Sequence, residues 1–315
     1  MDTSKAIVVV FEGVWGPSLQ DLARHRAVVR LEGAHLPDEA DWLEDVAAVV
    51  VRNRTQVTAS FLAAMPNLRI VARTGVGLDN IDLAAATERD VAVVSPRGAN
   101  ATSVAEHTLG LALAVARSVV ALDLSTRAGQ WERQPGMELS GHTWGLLGAG
   151  ATGRATGERA GALGMKVLAY DPYASPEDLA PSGIEKADLH SVVERSQVLS
   201  CHLPAVAGTV GLVDAALLAR MPQGSIFVNT GRGEVVVEDD LAAAVASGHL
   251  RGAGLDVRAQ EPPAPGPFDG LDQVILTPHI AGITEQSQHA ILAALASDID
   301  HVLSGRAPAH DVRFP

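Results

Sequence analysis

The length, composition and charge of the chain set the first limits on what it can be. Its 315 residues suffice for two domains, 47% of them are hydrophobic, and the formal net charge is −13 at pH 7. The acidic balance argues against a nucleic-acid-binding surface and against binding to an anionic membrane. The single cysteine, Cys201, excludes an intrachain disulfide and a cysteine-based zinc cluster, and we expect no metal site.

Two segments bear on membranes and location. The first fifteen residues, MDTSKAIVVVFEGVW, do not follow the pattern of a signal peptide. The most apolar segment, 108–124, is interrupted by Arg117 and Asp123 and is too short to span a bilayer. We therefore expect a cytoplasmic protein in which one helix over 103–127 is buried or forms a subunit interface.

Short runs rich in Val and Ile alternate with longer alanine-rich stretches along the whole chain. Near-continuous apolar strands between helices are typical of parallel sheets covered on both faces. The runs form two series, which predict two α/β domains. The first series comprises 6–10, 47–51, 68–72 and 91–94, and the second 144–148, 166–170, 198–203, 225–229, 252–257 and 274–276.

Residues 144–173 carry a dinucleotide-binding pattern. Gly148, Gly150 and Gly153 follow an apolar strand and open an alanine-rich helix, and Asp171 ends the next strand, 18 residues past Gly153. We interpret Gly148 as the tight turn, Gly150 as the point of backbone approach to a pyrophosphate, and Gly153 as the close contact between helix and strand. An acid at position 171 accepts ribose hydroxyls and repels a 2′-phosphate, which favours NAD over NADP.

Three polar residues follow later strands of the same series. Arg232, Glu261 and His279 come after the strands ending near 229, 257 and 276, where parallel sheets bind ligands. Each has an ordinary alternative: a solvated turn arginine, a surface acid before prolines, and a capping residue. Together they supply an anion clamp, an acid that can hold an imidazole, and a proton carrier.

The separated motifs resemble the D-isomer-specific 2-hydroxyacid dehydrogenases and, among them, the D-3-phosphoglycerate dehydrogenases. The resemblance runs over nearly the whole chain. The matching segments are VRNRTQVT (51–58), ARTGVGLDNID (72–82), ANATSVAEH (99–107), GQWER (129–133), the 148–171 pattern, NTGRG (229–233), GLDV (254–257), Glu261-Pro262 and TPHIAG (277–282).

The resemblance implies catalytic roles that agree with the residue chemistry. Arg232 would pair with the substrate carboxylate and polarise the C2 carbonyl. His279 would exchange the C2 hydroxyl proton as hydride moves to or from the nicotinamide, and Glu261 would orient its ring. Asp256 would face the nicotinamide carboxamide, the alternative being a structural acid at a strand end.

The resemblance also implies the contacts of the cofactor and the substrate. The turn containing Val76 and Gly77 would present N–H groups to the substrate carboxylate. Arg52 and Arg73 fall where phosphoglycerate dehydrogenases direct arginines at the phosphate, the alternative being framework residues. The implied cofactor residues are Gly148, Gly150, Ala151, Thr152, Gly153, Asp171, Leu203, Pro204, Thr230, Asp256, Ala281 and Gly282.

The implied architecture is a Rossmann NAD-binding domain, 99–285, inserted into a flavodoxin-like substrate domain formed by 1–98 and 286–315. We expect a homodimer, an anionic small-molecule substrate, and no regulatory extension after Pro315. Three remaining candidates, Cys201, His202 and His107, lack the partner bases or ligand spacing of a nucleophile or metal site, and we interpret them as structural.

Three functions remain open at this point. The first is an NAD-dependent D-2-hydroxyacid dehydrogenase for an acid with a second anionic group, such as 3-phosphoglycerate. The second is a glyoxylate or hydroxypyruvate reductase, or a sulfolactate-type dehydrogenase. The third is a non-catalytic NAD sensor that resembles the corepressors of this family.

Overall fold

The computed structural model describes residues 6–37, 40–75 and 77–313. The chain divides into two compact units after Asn100 and again after Ile283. We call residues 101–283 the inserted unit and the flanking parts the outer unit. The sequence placed these divisions at 98/99 and 285/286.

The elements of the two units follow one another in a regular α/β alternation. The strands are β1 (Ile7–Val10), β2 (Ala27–Arg30), β3 (Val46–Val51), β4 (Ile70–Arg73), β5 (Ala92–Val94), β6 (Thr143–Leu147), β7 (Lys166–Tyr170), β8 (Ile184–Lys186), β9 (Val198–Cys201), β10 (Ser225–Asn229), β11 (Leu250–Leu255) and β12 (Val274–Leu276). The helices are α1 (Pro17–Leu22), α2 (Ala59–Ala63), α3 (Leu83–Glu88), α4 (Ala101–Ala116), α5 (Val119–Arg127), α6 (Ala151–Ala162), α7 (Pro176–Leu179), α8 (Leu189–Arg195), α9 (Ala215–Leu218), α10 (Glu238–Ala246) and α11 (Glu285–Leu303).

The outer unit is a five-stranded parallel sheet in the order β2-β1-β3-β4-β5. This is the flavodoxin-like order. Strand β3 is buried along its whole length because apolar side chains cover both faces of the sheet. Helix α11 packs its buried side chains, among them Ile291, Leu295 and Ile299, into the core on one face.

The inserted unit is a seven-stranded parallel sheet in the order β12-β11-β10-β9-β6-β7-β8. Counted from β6, this is the doubly wound Rossmann order with one further strand. All strands point the same way, so their carboxyl ends lie along one edge. The predicted fold class, one parallel-sheet domain inserted into another, is confirmed.

Two edge strands and one helix differ from the sequence prediction. Strand β2 is half exposed with only three consecutive apolar residues, and β8 has three residues, two of them charged; the sequence analysis predicted neither strand. The predicted helix over 103–127 is wrong as a single element. It ends at Ala116, and α5 begins after Ser118, whose φ of 52° lies in the left-handed region.

The break after α4 also bears on the apolar segment. In the described ranges no single helix has the length and apolar character needed to cross a membrane. Helices α4 and α5 reach that length and composition together, but they are bent by 60°.

Two glycines let helix α6 lie close to the sheet and to the turn before it. A Cβ at Gly157 would come within 2.8 Å of Ile184 and 3.1 Å of Leu146. A Cβ at Gly153 would lie 2.2 Å from the carbonyl oxygen of Gly148. Close contact with the strands is therefore made at Gly157, whereas Gly153, to which the sequence assigned it, packs against the turn itself.

This geometry predicts opposite effects for two alanine substitutions in α6. Gly153→Ala should lower the free energy of unfolding by about 1–3 kcal/mol, because the new methyl group meets backbone that must shift. Gly161→Ala has no heavy atom within 4 Å of its new Cβ and should raise it by about 0.5–1 kcal/mol through helix propensity. Denaturant unfolding followed by circular dichroism compares the two, and equal stabilities would contradict the packing argument.

Candidate active site

The glycine turn, residues 148–153, begins the site at the end of β6. Gly148 has φ of 93°, and its N–H donates to the Tyr170 carbonyl over 2.9 Å. Gly150 precedes α6 without a side-chain cap, and a Cβ there would meet no heavy atom within 4 Å. The first N–H groups of α6 lack intrahelical acceptors, and the helix dipole favours an anion beside them. The turn therefore fits a pyrophosphate.

Asp171 ties the glycine turn to the end of β7. Its Oδ2 accepts the N–H of Ala149 over 2.8 Å, and its Oδ1 accepts the N–H of Tyr173 over 2.8 Å. Oδ1 also accepts the N–H of Ala174 over 3.2 Å, whereas Oδ2 keeps a further lone pair, which fits a ribose hydroxyl. Arg154, which the sequence analysis overlooked, donates from Nε to the Ala149 carbonyl over 2.8 Å.

The turn that carries Arg232 is held by the last residue of β10. The Asn229 amide donates to the Arg232 carbonyl over 2.9 Å and accepts the Gly231 N–H over 3.0 Å. A Cβ at Gly231 would lie 3.0 Å from the Leu203 carbonyl oxygen, and one at Gly233 only 1.9 Å from the Arg258 carbonyl carbon. The two glycines flank Arg232 because backbone from the neighbouring loops presses on both.

His279 and Glu261 form a hydrogen-bonded pair beyond β11 and β12. The imidazole Nδ1 lies 2.7 Å from Glu261 Oε2, and the two side chains are 50% and 37% exposed. An ionised carboxylate only accepts hydrogen bonds, so this contact places a proton on Nδ1, and in the neutral imidazole Nε2 then keeps its lone pair. His279 has a left-handed φ of 54°, and its N–H donates to the Asp256 carbonyl over 2.8 Å.

Asp256 is buried behind this pair and holds the segment that carries His279. Its carboxylate accepts the N–H groups of Ile280 and Ala281 over 2.9 and 2.8 Å and the Thr277 hydroxyl over 2.5 Å. Burial raises the pKa of Asp256, but hydrogen bonds from His107, Thr277, Ala281 and Ile280 outweigh it, and the net pKa is lowered. These contacts favour the structural alternative, and a contact with the nicotinamide stays a prediction.

His107 belongs to the same network, which the sequence analysis missed. The Thr277 hydroxyl donates to Asp256, so it accepts from His107 Nε2 over 3.0 Å. His107 Nε2 also lies 3.5 Å from Asp256 Oδ1. One residue later in α4, Thr108 Oγ1 lies 2.9 Å from Thr230 Oγ1. The ANATSVAEH segment was the available signal, but spacing alone did not show which strand its side chains meet.

Cys201 and His202 are poor reactive groups in this fold. Burial raises the pKa of the Cys201 thiol to about 12 and lowers the pKa of His202 to about 4. His202 Nε2 lies 2.9 Å from Ser200 Oγ, which accepts the Trp144 indole N–H over 2.8 Å. In the ranges that the structure describes, no three His, Cys, Asp or Glu side chains are grouped to hold a metal ion.

The other predicted cofactor residues of the inserted unit follow the carboxyl ends of its strands. Ala151 and Thr152 open α6 after β6, Leu203 and Pro204 follow β9, Thr230 follows β10, and Ala281 and Gly282 follow β12. In a parallel sheet these ends share one edge. Leu203 and Ala281 are buried, whereas Pro204 is exposed.

In the outer unit, Glu12 organises the loop that carries Arg52. Its carboxylate accepts the N–H groups of Arg52, Arg54 and Thr55 over 3.0, 3.2 and 3.0 Å. Burial raises the pKa of Glu12, but hydrogen bonds from Thr55, Arg54 and Arg52 outweigh it, and the net pKa is lowered. Arg54 Nε lies 3.3 Å from the same carboxylate.

Arg73 ends β4 and is buried, with its guanidinium beside Gly75. Gly77 is half-buried, and Val76 lies outside the described residues. Within the outer unit, Arg52 is partly exposed and Arg73 is buried, and both lie at the ends of the neighbouring strands β3 and β4.

Comparison with known proteins places the chain. The model of the D-isomer specific 2-hydroxyacid dehydrogenase, NAD binding domain, matches residues 109–281. The chain belongs to this family. It is 44% identical to D-3-phosphoglycerate dehydrogenase of Mycobacterium bovis over 260 residues, 82% of this chain and 49% of that protein. It is 39% identical to (S)-sulfolactate dehydrogenase of Chromohalobacter salexigens over 307 residues, 95% of this chain and 99% of that protein.

A solved structure shares the fold over nearly the whole chain. D-lactate dehydrogenase of Aquifex aeolicus, complexed with NAD and lactic acid, has a TM-score of 0.86 at 25% identity and covers 98% of this chain and 99% of that one. The chain spans about half the length of the phosphoglycerate dehydrogenases it matches. The predicted family is confirmed, and the inserted unit carries its NAD-binding domain.

The Asp256 network predicts a pH-dependent loss of stability in Asp256→Asn. At pH 7 the variant should lose about 2–4 kcal/mol of the free energy of unfolding, because buried donors lose a charged acceptor. The folded-state pKa is lowered, so this difference is complete above the unfolded pKa of about 4 and shrinks as the pH falls through the folded value. Denaturant unfolding between pH 7 and 3 measures it. Asp272→Asn, at an exposed residue, is the control, and a pH-independent difference would contradict the assignment.

Proposed function

We propose that the protein is an NAD-dependent D-2-hydroxyacid dehydrogenase that transfers hydride between the nicotinamide and C2 of a 2-hydroxy or 2-keto acid. The observation that carries the proposal is the 2.7 Å contact between His279 Nδ1 and Glu261 Oε2 at the carboxyl edge of the NAD-binding sheet. It leaves Nε2 as a base on a side chain that solvent and substrate reach. Family membership supports the same chemistry.

In the proposed oxidation, His279 Nε2 takes the proton of the C2 hydroxyl as the C2–H bond breaks and the carbonyl forms. NAD, when bound, supplies the acceptor for the hydride. Glu261 keeps the imidazole in the required tautomer and stabilises the imidazolium that forms. Arg232 binds the substrate carboxylate through its guanidinium fork and fixes C2 relative to His279. In reduction the same groups act in reverse.

The residues of the glycine turn fit the cofactor that this chemistry needs. The open space at Gly150 and the uncapped start of α6 would hold the pyrophosphate, and Asp171 the adenosine ribose. We propose that Ala151, Thr152 and Gly153 complete the phosphate contacts. Leu203, Pro204, Thr230, Ala281 and Gly282 would line the rest of the dinucleotide.

The first test of the proposal is turnover by the purified chain and by His279→Ala. NADH formation is followed with 3-phosphoglycerate, sulfolactate, glycerate and lactate, each with NAD and with NADP. His279→Ala should lose roughly 10²–10⁴-fold in kcat while its NAD affinity, measured by fluorescence titration, is retained. His190→Ala, at an exposed histidine of the inserted unit, should keep full activity. Full activity of His279→Ala would disprove the assignment, and NAD binding without turnover of any acid would favour the sensor.

We further propose that the substrate bears a second anionic group, bound by Arg52 with Arg73 beside it. The Glu12 carboxylate binds the backbone N–H groups of Arg52, Arg54 and Thr55 and so fixes the loop that begins at Arg52. Two relatives are named for acids with such a group, a phosphate and a sulfonate. The alternative is a small acid, as in glyoxylate, hydroxypyruvate or lactate chemistry, with both arginines in structural roles.

Arg52→Ala separates these substrate classes. With a phosphate or sulfonate substrate its KM should rise by about 10- to 100-fold with a small change in kcat, because the lost contact is equal in ground and transition states. Arg54→Ala, in the same loop but paired with Glu12, is the control. Steady-state kinetics with 3-phosphoglycerate and sulfolactate measure both variants. An unchanged KM would indicate that Arg52 has only a structural role and would favour the small-acid reductase.

We also propose a homodimer formed through the inserted unit. Helix α5 exposes Val119, Val120 and Leu124 by 52%, 43% and 62%, and Leu113 of α4 is 40% exposed. Apolar side chains grouped on one helical surface are typical of subunit interfaces.

A further inference from the structure

Arg258 and Glu238 form an ion pair next to the candidate active site that neither the sequence analysis nor the proposed mechanism uses. Arg258 Nε and Nη2 donate to Glu238 Oε1 and Oε2 over 2.9 and 2.8 Å, a bidentate geometry. The guanidinium lies over the Phe268 ring, 4.9 Å from its centroid. The two charged side chains are 11% and 20% exposed.

The pair differs from the other ion pairs on the inserted unit. Exposed pairs such as Arg220–Glu194, at 45% and 52% exposure, contribute little because water screens them. The hydrogen bond from Arg258 lowers the pKa of Glu238, and the same bond raises the pKa of Arg258, so both groups stay charged. The two hydrogen bonds between Arg258 and Glu238, together with the contact of the guanidinium with the Phe268 ring, restrict the movement of both side chains.

This assembly fixes a backbone segment that touches both catalytic loops. Glu238 Oε1 also accepts the Ala259 N–H over 3.0 Å, so the carboxylate binds the backbone of the residue after Arg258 as well. The Arg258 N–H in turn donates to Glu261 Oε1 over 3.0 Å. On its other side, the Arg258 carbonyl carbon lies so close to Gly233, immediately after Arg232, that a Cβ at Gly233 would come within 1.9 Å of it.

Glu261 needs such a fixed donor because it is 37% exposed and lies in a proline-rich loop. A free carboxylate would rotate, and either oxygen or water would meet the imidazole. With Oε1 held by the Arg258 N–H, Oε2 is the oxygen presented to His279 Nδ1. The tautomer of His279 therefore depends on where the backbone N–H of Arg258 lies.

We propose that Arg258 and Glu238 are positioning residues: their pairing fixes the backbone of Arg258, whose N–H holds Glu261 so that it presents Oε2 to His279. The proposal rests on the proposed function for its effect on turnover. Its effect on the imidazole is independent of any substrate.

The decisive experiment records long-range ¹H–¹⁵N spectra of the imidazole rings in the full-length protein. The His279 signals are identified by their loss in His279→Ala. In the wild type they should report the Nδ1–H tautomer. In Arg258→Met, which keeps an aliphatic chain on Phe268 but loses the charge, they should shift toward a mixture of tautomers. Arg220→Met, the same change in an exposed pair, should leave the His279 signals unchanged. Arg258→Lys, which keeps the charge, should shift them less than Arg258→Met does.

The kinetic arm asks whether Arg258 acts through Glu261. Arg258→Met should lower kcat by roughly 10- to 100-fold while the NAD affinity and thermal midpoint stay close to wild type. In a Glu261→Gln background the same change should cost less than about twofold, because the group it positions is already altered. Glu238→Gln repeats the test if Arg258→Met fails to fold.

The outcomes separate this inference from the proposed function. Wild-type His279 signals in Arg258→Met and Glu238→Gln, or equal losses in kcat with and without Glu261→Gln, would overturn the positioning role. Altered signals in a protein that turns over none of the acids would support the positioning role and reject the dehydrogenase. Altered signals with a non-additive loss in kcat would support both.

Discussion

The buried carboxylate of Asp256 is the interaction on which the reactive end of the inserted unit depends. A charge at 1% exposure is tolerated only where hydrogen bonds replace water. Besides His107, the donors come from Thr277, Ile280 and Ala281, which lie on either side of His279 in the chain. Keeping the carboxylate charged and holding His279 in its left-handed conformation are therefore one requirement, because the same bonds satisfy both.

Similar backbone contacts from a polar side chain occur after strands β1, β7 and β10. Asn229 binds the backbone on both sides of Arg232, Asp171 binds the glycine turn, and Glu12 binds the loop around Arg52. Backbone N–H groups beyond a strand end have lost their ladder partners and must find others. A short acid or amide at that point meets the need and fixes a functional side chain at the same time.

These contacts explain which parts could be predicted from the sequence. The apolar runs of β3 and β10 and the spacing from Gly148 to Asp171 are local patterns, so they predicted the sheets and the phosphate turn. Edge strands β2 and β8 were not predicted because their apolar runs are only three residues and one residue long, respectively. The break at Ser118 left no local signal, since a left-handed serine replaces the usual glycine or proline. His107 lies 149 positions from its partner Asp256, and Arg258 lies 20 positions from its partner Glu238. Both partners are on other elements, and only the folded chain brings them together.

The pair of His279 and Glu261 is the exposed part of an otherwise buried arrangement. The proposed mechanism requires His279 to reach a substrate proton, so burial cannot hold it or Glu261 in place. Rotamer freedom at two half-exposed side chains would disperse the catalytic geometry, and each immobilised side chain costs conformational entropy. The chain meets this cost with groups that are themselves shielded: Asp256 behind the His279 backbone, and the Arg258–Glu238 pair behind Glu261. His279 and Glu261 are thus exposed to solvent, while the more buried Asp256, Glu238 and Arg258 fix their positions.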